Sequence, residues 1–130
     1  YGYARNVERV NMGDLTKNLS RSEFHCHCGM CGMDTVDFDL VKVVQDACDY
    51  FRTSVTINSG NRCIAHNKAI GGHPNSYHTK SMAADIVLKA VTPELVASYF
   101  KRTYLGKYGI GTYDTFTHID VQTKCKRWDG

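Results

Sequence analysis

Ser76-Tyr77-His78-Thr79-Lys80-Ser81-Met82-Ala83-Ala84-Asp85 sets a histidine just ahead of a strand, Ala83 to Leu88, and an aspartate inside it. A second histidine follows in Thr117-His118-Ile119-Asp120, after a helix-sized gap. His78, Asp85 and His118 form a three-ligand metal site in this reading. Two neutral imidazoles and one carboxylate leave a zinc ion net positive, with an open position for water. That donor set belongs to catalytic rather than closed structural sites. The competing reading is a buried histidine hydrogen-bonded to a carboxylate, and His-x6-Asp alone does not separate the two. Alternation along the last strand puts His118 and Asp120 on one face and Ile119 on the other. Ala83 and Ala84 are small enough for another element to approach closely.

Outward from this stretch, Asp34 to Phe51 reads as a helix. Val36, Leu40, Val43, Val44, Ala47 and Phe51 recur at helical spacing, and Asp37 and Asp39 suit the helix start. Val55-Thr56-Ile57 is a short strand, ended by Asn58-Ser59-Gly60-Asn61. Residues 63 to 70 read as a short helix, and Ile70 to Asn75 as a loop. Thr92-Pro93-Glu94 opens a helix that runs to about Tyr104, with Thr92 as cap and Pro93 at the first helical position. Ile110 to Thr112 and Phe116 to Val121 form a last strand pair around a turn at Tyr113-Asp114-Thr115. The sum is an α+β fold, a small antiparallel sheet with helices packed on one face. Residues 1–20 are polar and irregular and read as an arm on a domain spanning 21–130.

At 130 residues the chain has room for one domain with a sizeable core. Hydrophobic residues make up 42% and charged residues 22%, as in ordinary globular proteins. The net charge of +3, from 16 basic and 13 acidic residues, is too small and scattered to argue for nucleic acid. No apolar run is long enough to span a membrane. The chain is expected to be a monomer. It begins Tyr1-Gly2-Tyr3 without a methionine, which reads as a processed form or an excised domain.

The chain has six cysteines, three of them within Cys26-His27-Cys28-Gly29-Met30-Cys31 and the others at Cys48, Cys63 and Cys125. An even number suits disulfides in an oxidising compartment. Alternatively, Cys26, Cys28 and Cys31 hold a second, structural zinc, with Cys63, His25 or His27 as fourth ligand. Free thiols are the third possibility.

Several ordered motifs carry a wider resemblance. They are Ser22-Glu23-Phe24, then Ser59-Gly60-Asn61-Arg62 leading to His66-Asn67, then Gly71-Gly72 and Ser76-x-His78-x6-Asp85. Gly109-Ile110-Gly111-x-Tyr113, Phe116-x-His118-Ile119-Asp120-Val121 and Arg127-Trp128 complete the set. Over roughly residues 20 to 128, the chain resembles the zinc D-Ala-D-Ala carboxypeptidases and related peptidoglycan endopeptidases. That superfamily also includes the hedgehog signalling domain. The resemblance implies zinc at His78, Asp85 and His118, and substrate contacts from Arg62 and Ser76. A guanidinium there would pair with a carboxylate or steady an oxyanion. Otherwise Arg62 braces the Ser59-Gly60 turn, and Ser76 caps a turn. The resemblance also implies peptidoglycan stem peptides as substrate and a secreted, periplasmic or virion-associated protein of bacterial or bacteriophage origin.

One position departs from the family pattern. Members commonly carry a glutamate or aspartate three residues before the last histidine ligand, as general base. Here that residue is Thr115. Asp120, which shares a strand face with His118, and Asp114, on the adjacent turn, are the expected substitutes, with Asp120 preferred. Asp120 could instead orient a ligand. Thr115 is also the feature that favours a rival reading, a non-catalytic zinc-containing binding module of the same fold. His73 reads as a solvated loop residue, and Trp128 as a seal on the sheet.

Overall fold

A computed structural model describes residues 13–130. Three α-helices and five strands follow in order: α1 (Phe38–Phe51), β1 (Val55–Ser59), α2 (Ile64–Ala69), β2 (Ala83–Leu88), α3 (Pro93–Thr103), β3 (Gly109–Thr112), β4 (Thr117–Asp120) and β5 (Lys126–Asp129). Two short 3-10 turns, Arg21–Phe24 and Tyr77–Lys80, complete the set. The class is α+β, as expected. The sheet runs β1-β2-β4-β3-β5, and its first four strands are antiparallel. β5 departs from the expected pattern: it lies parallel to β3, so the sheet is mixed.

Local chemistry sets the helix ends. Asp37 caps α1 by accepting the Asp39 N–H at 2.7 Å, so the helix starts at Phe38 rather than at Asp34. It stops where Arg52 turns left-handed (φ 53°) and returns its N–H to Cys48. Thr92 caps α3 ahead of Pro93, as its sequence predicts.

The two faces of the sheet divide the work. Ala84, Ile86, Leu88, Ile110 and Ile119 pack against Leu40, Val44 and Ala47 of α1 and Val96 and Phe100 of α3. Each large side chain buried here contributes about 1.5–3 kcal/mol. Strand alternation sends the intervening residues to the opposite face. Asp85 pairs directly with His118, Ala83 with Asp120, Gly109 with Asp120, and Gly111 with both His118 and Trp128. The register of three strands therefore gathers the polar residues. A shift in the β1 register between Ile57 and Ser59 brings Ser59 opposite Asp85.

Of the arm expected over residues 1–20, residues 1–12 lie outside the described residues. The remainder rests on α1: Asn18 N–H and Thr16 Oγ1 both donate to Gln45 Oε1, and Leu19 is wholly buried. Among the described residues, no helix is long and apolar enough to cross a membrane.

Candidate metal centre

His78 sits in the second 3-10 turn, whose start Ser76 caps by accepting the His78 N–H at 3.2 Å. Gly60 O accepts the Nδ1–H of His78 at 2.7 Å. A carbonyl oxygen can only accept, so this bond leaves Nε2 of the neutral ring without a proton. That bare nitrogen lies 3.2 Å from Asp85 Oδ1. On β4, His118 Nε2–H donates to Asp120 Oδ2 at 2.7 Å, and His118 Nδ1 lies 3.0 Å from the same Asp85 Oδ1. With both rings neutral, and the His118 proton on Nε2, the nitrogen with the shorter contact, two lone-pair nitrogens and a carboxylate oxygen converge with no proton among them. Three acceptors facing one another in a buried site call for a cation. The donor atoms of His78, Asp85 and His118 lie within 4.8 Å of one another, and all three residues are buried. Two nitrogens and one oxygen suit zinc, and each imidazole donates its other N–H to an oxygen that holds the ring in place.

The same contacts set the charges of the metal-free protein. Burial pushes the Asp85 carboxyl up, but its contacts with His118 and His78 outweigh that and hold it well below the usual carboxylate range. Burial likewise opposes charge on His118, yet its contacts with Asp120 and Asp85 leave its pKa raised in the metal-free protein. Asp120 is held low, His118 overcoming the cost of burial.

Arg62 reaches the cluster from the segment after β1. Its Nη2 donates to Asp85 Oδ2 at 3.4 Å, its Nε to Ser59 Oγ at 3.2 Å and its Nη1 to Asn67 Oδ1 at 3.2 Å. It thus braces the Ser59 turn and also borders the cavity. Three of its five N–H groups are used, leaving two to donate. The cavity encloses about 550 Å³ above the cluster. Its border includes Arg62, His73, Ser76, Tyr113, Phe116 and Trp128.

Asp120 and Asp114, the residues considered for proton transfer, lie where the sequence puts them, beside His118 on β4 and on the β3–β4 turn. Asp120 has both oxygens engaged. Oδ1 accepts from Gly109 N–H at 3.1 Å and from Gln122 through its backbone N–H at 3.3 Å and Nε2 at 2.8 Å, and Oδ2 accepts from His118. That fits the orienting role and not that of a free proton acceptor. Asp114 is exposed on the β3–β4 turn and does not border the cavity. His73 does border it, but its Nδ1 accepts the Asn75 N–H at 3.0 Å. In the neutral ring Nε2 therefore carries the proton.

Sequence reasoning missed three parts. Asn67, buried on α2, accepts from Arg62 and donates to His73 O at 2.8 Å, tying the arginine to the loop. Gln122 holds Asp120. Trp128 is more than a seal: its ring stands 5.0 Å from that of His118, and its indole N–H donates to the Tyr113 hydroxyl at 2.9 Å. Asn67 stood within a quoted motif, whereas nothing in the local sequence marks Gln122.

A family model described as Peptidase M15 matches residues 17–120, the span that holds the whole cluster. The chain belongs to the peptidase M15 family. Comparison with curated proteins gives no match. The M15 peptidases are zinc-dependent metallopeptidases, which agrees with the donor set and places this chain in that class. None of the six cysteines is joined in a disulfide in this structure, and four of them, Cys26, Cys28, Cys31 and Cys63, gather their sulfurs in a second cluster.

Proposed function

We propose that this M15 peptidase hydrolyses peptide bonds in peptidoglycan stem peptides, as a D,D-carboxypeptidase or an endopeptidase acting at the bacterial wall. The observation that carries this reading is the set of three acceptors at His78 Nε2, Asp85 Oδ1 and His118 Nδ1. These residues would hold one zinc ion. Bound there, zinc supplies a Lewis acid and lowers the pKa of a coordinated water.

The rest follows from the chain itself. Gly60 O and Asp120 Oδ2 fix the two imidazoles. Arg62 steadies Asp85 through one N–H and offers two more to a substrate carboxylate or a developing oxyanion. The Tyr113 hydroxyl accepts from Trp128, so its own proton is free to donate into the cavity. Tyr113 and Phe116 stack with centroids 4.4 Å apart and form an apolar wall against which a short peptide can lie. The cavity volume suits a ligand of a few residues rather than a folded protein.

A specific observation favours a second reading, the non-catalytic zinc-binding module. Among the described residues, no carboxylate bordering the cavity keeps an uncommitted oxygen: Asp85 and Asp120 are both engaged, and Asp114 lies outside. One experiment separates the readings. Zinc-loaded protein is incubated with purified peptidoglycan and with stem peptides ending in D-Ala-D-Ala, and new amines and free D-Ala are measured. Hydrolysis that disappears in His118→Ala supports the peptidase. Stoichiometric zinc with peptide binding and no amine release overturns it in favour of the module.

A further inference from the structure

Residues 25–37 link the first 3-10 turn to α1 without helix or strand, and Cys28 to Cys31 stand near the surface. Little apolar burial holds this segment, yet it folds back on itself through Cys26 N–H to Met33 O at 2.8 Å. The four sulfurs of Cys26, Cys28, Cys31 and Cys63 lie within 4.8 Å of one another. A tetrahedral zinc tetrathiolate, with Zn–S of about 2.3 Å, needs sulfurs roughly 3.8 Å apart. Backbone N–H groups are aimed at every sulfur. Cys28 Sγ accepts from Met30 and Cys31, both at 3.3 Å. Cys31 Sγ accepts from Met33 at 3.4 Å, Cys26 Sγ from Cys63 at 3.3 Å and Cys63 Sγ from His66 at 3.4 Å. Such donors stabilise thiolates rather than thiols. Gly29 (φ 74°) and Gly32 (φ 66°) supply the left-handed backbone that turns the chain around Cys28 and Cys31.

We propose that Cys26, Cys28, Cys31 and Cys63 bind a second, structural zinc ion that pins the 25–37 segment to the Arg62 segment. Four thiolates on a closed tetrahedral site select zinc and leave no position for substrate. The placement of Cys63 gives the site its consequence. It follows Arg62 directly and caps α2, the helix that carries Asn67. Two of Arg62's three partners, Ser59 and Asn67, therefore flank a cysteine held by the ion. Binding replaces four thiol protons with one metal, and those protons pass to solvent.

The test needs no loss of fold. Zinc is measured in wild type and in His118→Ala, expecting two ions per chain and one. The folded His118→Ala protein is then titrated with a mercurial thiol reagent while zinc release is followed. The remaining ion should leave as four thiols react, in step with them. Cobalt in place of zinc should add intense thiolate-to-cobalt charge-transfer absorption in His118→Ala, absent from a Cys28→Ser/Cys31→Ser variant. The proposal is overturned if His118→Ala holds no metal, or if mass analysis of the freshly purified native protein shows Cys28 and Cys31 joined as a disulfide. Either result leaves the peptidase reading untouched, because that reading depends on the ion at His118.

Discussion

Asp120 Oδ2 accepts the Nε2–H of His118 at 2.7 Å, two residues away on the same strand. A carboxylate in that position sets the ring's tautomer and strengthens Nδ1 as a donor to metal. Asp120→Asn keeps the shape but replaces the charged acceptor. Zinc affinity, measured by competition with a chromogenic chelator, should fall roughly 10–100-fold. If Asp120 were instead the proton acceptor, affinity would hold and only kcat would drop.

The metal-free protein should show a stability optimum set by the same groups. Hydrogen bonds to Asp120 and Asp85 outweigh burial and raise His118 above its ordinary 6.5. A raised folded-state pKa stabilises fully below the unfolded value, and the contribution is lost as pH climbs through the folded value. Asp85 and Asp120 act in the opposite sense. Both lie below the ordinary 3.8, so their contribution is present above that value and lost as pH falls through the folded values. Thermal midpoints in chelator should therefore peak between about pH 4 and 6.5 and decline on both sides. Added zinc should restore more stability on the alkaline side, where it no longer competes with a proton on His118. A midpoint in chelator that keeps rising above neutrality would contradict this account.

Much of this was legible before the structure, and the remainder has definable physical causes. α1 was readable because Leu40, Val43, Val44 and Ala47 all face the core at helical spacing. His78, Asp85 and His118 were legible as a set through the family resemblance, since spacing alone left a buried histidine–carboxylate pair open. β5 was not. Of Lys126-Arg127-Trp128-Asp129, the sequence marked Arg127-Trp128 as a motif and Trp128 as a seal on the sheet, but its mostly charged composition carries no strand signal. Its strand character comes from pairing with β3 and from Arg127, which donates to the carbonyls of Tyr104, Lys107 and Tyr108. The engagement of Asp120 was hidden for a similar reason. Strand geometry put it near His118, but its other oxygen is filled by Gly109 and Gln122, and only tertiary structure brings Gly109 there.

Arg62 combines bracing and donation in a way a lysine cannot. A lysine at this position keeps the charge but not the planar fork that serves Ser59, Asn67 and Asp85 together. In Arg62→Lys, metal analysis should find the zinc at His118 retained, because the three donors are untouched. kcat/KM on stem peptides should fall on the order of 100-fold. Loss of that zinc alongside activity would mean that Arg62 serves chiefly to position Asp85.

Gly109 and Gly111 explain why β3 reads Gly-Ile-Gly. Both face the site, and a methyl group at either would meet a functional side chain: the carboxylate of Asp120 at Gly109 and the indole of Trp128 at Gly111. Gly109→Ala should displace Asp120 from His118, weaken zinc binding and cost about 1–3 kcal/mol of stability. Gly111→Ala should instead push Trp128 from the Tyr113 hydroxyl and leave the three donors and Asp120 in place. Chelator competition and Trp128 fluorescence distinguish the two variants. Gly109→Ala should lower zinc affinity with little change in emission, and Gly111→Ala should shift emission with affinity within a few-fold of wild type. Equal loss of zinc in both would show that the indole, and not only the carboxylate, holds His118 in register.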